Sequence, residues 1–136
     1  MIQIPSHFFK TKYDGSQYPG VATGLSNGAN CQHFCYVLLR HFEFEIGNFR
    51  SSDLWKDTEF TSKISQYQPF DLALFNSTSN PFGAHVAICI GDDKFLHLSK
   101  KNGRPIVCSL SDLLNLKEYS VLIGFKRPTR SRLPHS

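Results

Sequence analysis

Asn30-Cys31-Gln32-His33-Phe34-Cys35-Tyr36-Val37-Leu38-Leu39-Arg40-His41-Phe42-Glu43-Phe44 contains neither glycine nor proline, and the fold turns on how it is read. Phe34, Cys35, Leu38 and Phe42 recur at three- and four-residue spacing with Cys31 on the same stripe, which is the period of an amphipathic helix. Asn30 suits the N-cap, because its side-chain oxygen can accept from an orphaned amide of the first turn, and Gly47 follows the far end. A helix beginning at Cys31 is predicted.

Working outward, residues 1–29 are rich in turn formers such as Asp14-Gly15-Ser16, Pro19-Gly20 and Ser26-Asn27-Gly28, and read as irregular chain. Downstream, Arg50-Ser51-Ser52-Asp53-Leu54-Trp55-Lys56-Asp57 offers a capping serine and an early acid, so a short helical turn anchored by Trp55 is expected. The period then changes. Asp71–Phe75, His85–Ile90, Lys94–Leu98 and Tyr119–Phe125 are short, rich in β-formers and bounded by turn residues. Pro105–Cys108 can add a strand, and Ser109–Leu116 resembles a brief helix with a capping serine. One helix followed by a meander of strands places the chain in the α+β class.

The 136 residues suit one domain, and with 40% hydrophobic and 13% aromatic residues they exclude disordered and fibrous classes. The formal charge of +4 resides in Lys126, Arg127, Arg130 and Arg132, so residues 1–125 hold eleven basic and eleven acidic groups. A neutral body argues against a nucleic-acid partner. The expected organisation is one domain over residues 1–125 with a solvated basic tail at 126–136. No apolar run reaches the roughly 18 residues of a membrane span, and the start lacks a basic segment followed by an apolar stretch. The expectation is a chain that stays in the cytoplasm unless a dedicated route exports it. Cys31, Cys35, Cys89 and Cys108 are too few for a disulfide scaffold and lack a Cys-x-x-Cys pair, so free thiols without structural zinc are expected.

Cys31 falls in the first turn of the helix, where open amides and the helix dipole favour an anion and are expected to lower the thiol's pKa. A nucleophilic thiol needs a base, and His85 and His97 open and occupy successive strands. If Gly91-Asp92-Asp93 is a three-residue loop, Ala87 faces His97 and the two histidines share a sheet face as diagonal neighbours. A two-residue loop would instead put them on opposite faces. In the first arrangement His85 takes the proton of Cys31 and His97 orients His85. Cys35, one turn from Cys31, reads as packing rather than as a resolving thiol.

The helix start Asn30-Cys31-Gln32-His33-Phe34, the segment Gly83-Ala84-His85-Val86-Ala87-Ile88-Cys89-Ile90-Gly91 and the strand Lys94-Phe95-Leu96-His97-Leu98 resemble the NlpC-type cysteine peptidases. Tyr18-Pro19-Gly20 resembles that family's tyrosine and glycine segment ahead of the nucleophile. The resemblance implies a papain-like α+β fold, with the nucleophile helix packed on a mostly antiparallel sheet. It implies cleavage of an amide, commonly in peptidoglycan stem peptides, without metal or cofactor. Cys31, His85 and His97 take the catalytic positions, and Tyr18, Gln32 and His33 are candidates for substrate contact. Asn30 and Gln32-His33 depart from the family's Asp-Cys-Ser-Gly start. Asn30-Cys31-Gln32-His33-Phe34 also resembles a segment of the lecithin:retinol acyltransferase relatives, in which histidine precedes cysteine. A lipid acyltransferase or thioesterase, and a non-catalytic binding module of the same fold, stay open as alternatives.

Overall fold

A computed structural model describes residues 1–132. Helix α1 runs over Cys31–His41, and the Asn30 side chain accepts from the His33 amide at 2.8 Å, as the sequence predicts for an N-cap. Its far end differs from expectation. Glu43, not a glycine, takes the left-handed conformation (φ 70°) that stops the helix, ahead of Gly47. The Phe44 amide then donates to Leu39 O and the Glu43 amide to Arg40 O, both at 3.0 Å, a Schellman closure with Phe44 folded back on the last turn.

Six antiparallel strands form one sheet in the order β1-β6-β2-β3-β4-β5. They are β1 (Thr61–Ile64), β2 (Leu72–Asn76), β3 (His85–Gly91), β4 (Lys94–Leu98), β5 (Pro105–Cys108) and β6 (Val121–Pro128). The short helices α2 (Ser51–Lys56) and α3 (Leu110–Leu114) and 3-10 turns at Ser6–Lys10 and Lys117–Tyr119 complete the fold. Residues 1–29 therefore contain one regular turn that the sequence reading leaves as irregular chain. α1 lays Phe34, Cys35, Leu38 and Leu39 on one sheet face against Leu72, Leu74, Val86, Ile88, Leu96 and Leu98. The other face carries Ala73, Phe75, Ala87, Cys89 and Phe95 under Leu113 of α3. β3 is buried along its whole length because both faces are covered.

The basic tail is corrected. β6 continues through Lys126, Arg127 and Pro128, paired with β1, a strand the sequence reading misses. Lys126 is 1% exposed and donates to the carbonyls of Trp55 and Asp57. Arg127 grips the buried Asp71 carboxylate through Nε and Nη2, both at 2.9 Å. Arg130 O accepts from the Glu45 amide, and the Arg132 amide donates to Glu43 O. Residues 133–136 of the expected tail lie outside the described residues.

Arg127→Ala should lower the free energy of unfolding by about 3 kcal/mol, because it strands a buried carboxylate. Urea denaturation reads this, and a loss within about 0.5 kcal/mol, typical of a surface substitution, would return residue 127 to a solvated terminus.

Candidate active site

Cys31 is the first residue of α1, and a chain of buried polar side chains ties that helix start to β3. Asn30 Nδ2 donates to Gln32 Oε1 at 3.2 Å, Gln32 Nε2 donates to Ser51 Oγ, and Ser51 Oγ donates to Ala84 O, the last two at 2.5 Å. Ala84 immediately precedes His85. One turn along, the Cys35 thiol points at Val86 O (3.7 Å) inside the core, in line with its reading as packing. Amides of Val86, Gln32 and Cys31 lie around the Cys31 sulfur.

The hairpin between β3 and β4 reaches the expected register by an unexpected route. Asp92 and Asp93 both have positive φ, forming a two-residue turn between Gly91 and its partner Lys94. Alone, that turn would place the histidines on opposite faces. A bulge between Cys89 and Gly91 leaves Ile90 unpaired, so that Cys89 faces Phe95 and Ile88 faces Leu96. Parity is restored, and His85 Nε2 meets His97 Nδ1 at 2.9 Å. Tyr119 stacks on the His85 ring with centroids 4.3 Å apart and planes 14° from parallel.

Cys31, His85, Tyr13, Tyr119 and Arg50 line one cavity of about 290 Å³. Burial pushes the Cys31 thiol up from its ordinary value, outweighing the pull of the surrounding amides and of Arg50. This corrects the expected thiolate: the helix start favours an anion, but desolvation wins. Burial, and then the neighbouring His97, hold His85 well below the ordinary imidazole value. Burial alone brings His97 down to about 4. Burial, and then the nearby Cys31, raise the phenol of Tyr13, and burial lifts that of Tyr119 to about 12. At neutral pH the site holds a protonated Cys31 thiol and a neutral imidazole pair. His97 Nε2 is buried without a hydrogen-bond partner among the described residues.

The structure brings Cys31, His85 and His97 together, while the three expected substrate contacts are placed differently. Gln32 lines the cavity, but its amide is engaged by Asn30 and Ser51, so it positions the helix. His33 is 2% exposed and meets Gly24 O at 2.7 Å through Nε2, fastening the preceding loop. Tyr18 lies beneath the Arg50 guanidinium, 4.7 Å from its ring centroid, and Tyr13 instead reaches the cavity wall. Gly28 allows this: its φ is +90°, and a Cβ there would stand 2.8 Å from Lys12 O, so only glycine lets the Tyr13 segment lie beside Ala29. Tyr13, Arg50 and Tyr119 are the wall residues that the sequence reading misses. Trp55 packs on Gly124 of β6, away from the cavity.

A larger cavity of about 740 Å³ adjoins the first and shares Ser99, Lys100 and Tyr119 with it. His97 forms part of its wall.

The fold is similar to that of the NlpC/p60 domain of the peptidoglycan hydrolase SagA, with a TM-score of 0.57 and 18% identity over 91% of this chain and 92% of that one. It is also similar to an NlpC/P60 family protein from Bacillus cereus ATCC 10987, with a TM-score of 0.53 and 20% identity over 74% of this chain. The chain spans only 31% of that second protein's length. No curated protein matches the chain in sequence. The sequence profile of the NlpC/P60 family matches residues 12–118, a span that takes in Cys31, His85 and His97, and the chain belongs to that family.

Proposed function

We propose that the chain is a cysteine hydrolase that cleaves an amide bond through an acyl-thiol intermediate, with Cys31 as nucleophile, His85 as base and His97 as its orienting partner. Family membership supports a cysteine hydrolase or amidase kind of function. The observation that supports the finer reading is one cavity lined by both Cys31 and His85, the latter held by His97 at 2.9 Å.

The proposed reaction fixes the tautomers it needs. His85 Nε2 is bonded to His97 Nδ1, which leaves Nδ1 of His85 to take the thiol proton, so His85 must carry its own proton on Nε2. His97 Nδ1 accepts that proton's bond, and its own proton is on Nε2. As sulfur attacks the carbonyl carbon, Nδ1 takes the thiol proton. The carbonyl oxygen becomes an oxyanion, for which the amides of Cys31 and Gln32 at the sulfur are the donors at hand. Collapse breaks the C–N bond and the imidazolium gives its proton to the leaving amine. Water then attacks the thioester, losing a proton to Nδ1, and the regained thiol leaves a carboxylic acid. Tyr119, stacked on His85, limits the ring's freedom to swing away from Nδ1 attack geometry.

A peptide amide is the substrate class this chemistry suits. The neighbour's description as a peptidoglycan hydrolase makes stem-peptide amides the first candidates. Asn30 cannot supply the negative charge of the family's acid, and its side chain is engaged with His33 and Gln32.

With peptide amides and peptidoglycan fragments as substrates and mass spectrometry as readout, Cys31→Ala should lower turnover about 10⁴-fold or more. His97→Ala, which loses an orienting partner, should cost less than Cys31→Ala. Turnover that survives Cys31→Ala sinks the proposal. Because His85 titrates well below 6.5, its basic form persists through neutrality, and because Cys31 titrates above 9.0 its proton is retained there. The pH profile of kcat/KM should therefore be level between these values, falling in acid as His85 protonates and in alkali as the thiol proton is lost. An acid limb centred at or above 6.5 would contradict the neutral resting pair.

A further inference from the structure

The cavity around Cys31, at about 290 Å³, is smaller than the roughly 300–1,000 Å³ of sites that enclose a small molecule, so it has room for the reacting amide and little more. The adjoining cavity, at about 740 Å³, lies well inside that range. The two meet at Ser99, Lys100 and Tyr119, and His97 belongs both to the catalytic pair and to the wall of the larger one. A substrate that places its carbonyl at Cys31 and extends past Tyr119 enters it.

The chemistry of the larger cavity is specific. Its apolar surface comes from Ile106 and Cys108 of β5, Leu116 and Tyr119. Ile106 sits directly across the β4–β5 ladder from His97 and is 39% exposed, so it presents apolar surface beside the histidine pair. The charged groups of the lining, Lys100, Lys101, Asp112 and Glu118, are all exposed and cancel in sign. Asp112 is further committed to capping α3 through Ser109. Nothing there selects an ion, whereas an apolar group would remove Ile106 and Leu116 from water.

We propose that this cavity is the subsite for an uncharged apolar group, aromatic or branched aliphatic, carried by the substrate a few bonds from the scissile carbonyl. The assignment rests on the amide-hydrolase reading of Cys31. It makes the preferred substrate an amide with a bulky apolar substituent, and it makes Ile106 a specificity-determining residue.

Alkylation of Cys31 tests this without a known substrate. Rates with iodoacetamide and N-benzyliodoacetamide, located by mass spectrometry, are each divided by the rate for free N-acetylcysteine. The benzyl reagent should saturate and be favoured at least tenfold in the wild type. That preference should fall to near unity in Ile106→Asp and persist in Ile106→Leu. Equal normalised rates in the wild type, or a preference unchanged by Ile106→Asp, overturn the subsite while Cys31 keeps its role as nucleophile. Failure of either reagent to reach Cys31 counts against the hydrolase reading instead. Calorimetry with the unreactive N-benzylacetamide then decides the subsite: binding weakened by Ile106→Asp supports it, and no binding overturns it.

Discussion

The site depends on the buried polar chain from Asn30 through Gln32 and Ser51 to Ala84 O. α1 lies on the sheet through apolar contacts, which are strong but non-directional, and such contacts alone would tolerate a small slide of helix against strand. Each hydrogen bond in the chain, once buried, has no water to replace it. Leaving one member unsatisfied costs about 1–3 kcal/mol, so the chain selects one axial position of α1. That position puts Cys31 beside the residue after His85, whose amide lies at the sulfur. Cys31 and His85, 54 residues apart in sequence, are therefore registered by three side-chain hydrogen bonds rather than by local chain geometry.

Burial also sets the ionisation state on which chemistry starts. A thiol at a helix start in open solvent tends toward thiolate, and the amides around Cys31 do favour the anion. Desolvation acts against them and acts in the opposite sense on the histidines, so both partners are driven to their neutral forms. Neutral partners are cheap to bury. In the proposed reaction charge develops only as sulfur attacks, beside the amides of Cys31 and Gln32. The two tyrosines keep their protons for the same reason and so add no negative charge to the cavity.

Much of this was legible in the sequence because it is local. The helix over Cys31–His41 and strands β2 to β5 announce themselves by period and by flanking turn residues. β1 does not, since Thr61-Ser62-Lys63-Ile64 is polar, short and on the sheet edge, with burial concentrated at Thr61. The end of β6 was hidden by its charge: Lys126 and Arg127 read as solvated until the carbonyls of Trp55 and Asp57 and the carboxylate of Asp71 are brought to them by folding. Among site residues, Cys31, His85 and His97 follow from spacing and family pattern. Tyr13, Arg50 and Tyr119 come from three separate segments with no shared local signal. Tyr18 was suggested by the likeness of Tyr18-Pro19-Gly20 to the family's tyrosine and glycine segment, whereas the tight approach at Gly28 lets Tyr13 reach the cavity wall.

The sheet explains why Cys31, His85 and His97 gather at its end. Alternation puts His85 and His97 on the face of Ala87 and Phe95, opposite the face that α1 covers. A cysteine mid-helix would be screened from them by the sheet itself, whereas the first residue of α1 lies at the start of β3 and can reach around it. The bulge at Ile90 serves the same end from the other side of β3. Without it the two-residue turn would send His97 to the helix face and turn Leu96 and Leu98 away from the core they fill there. The amide of Ile2 donates to Ile90 O at 2.7 Å, so the bulged carbonyl is held by the start of the chain. A hydrogen bond far from the thiol thus bears on which face of the sheet presents His97.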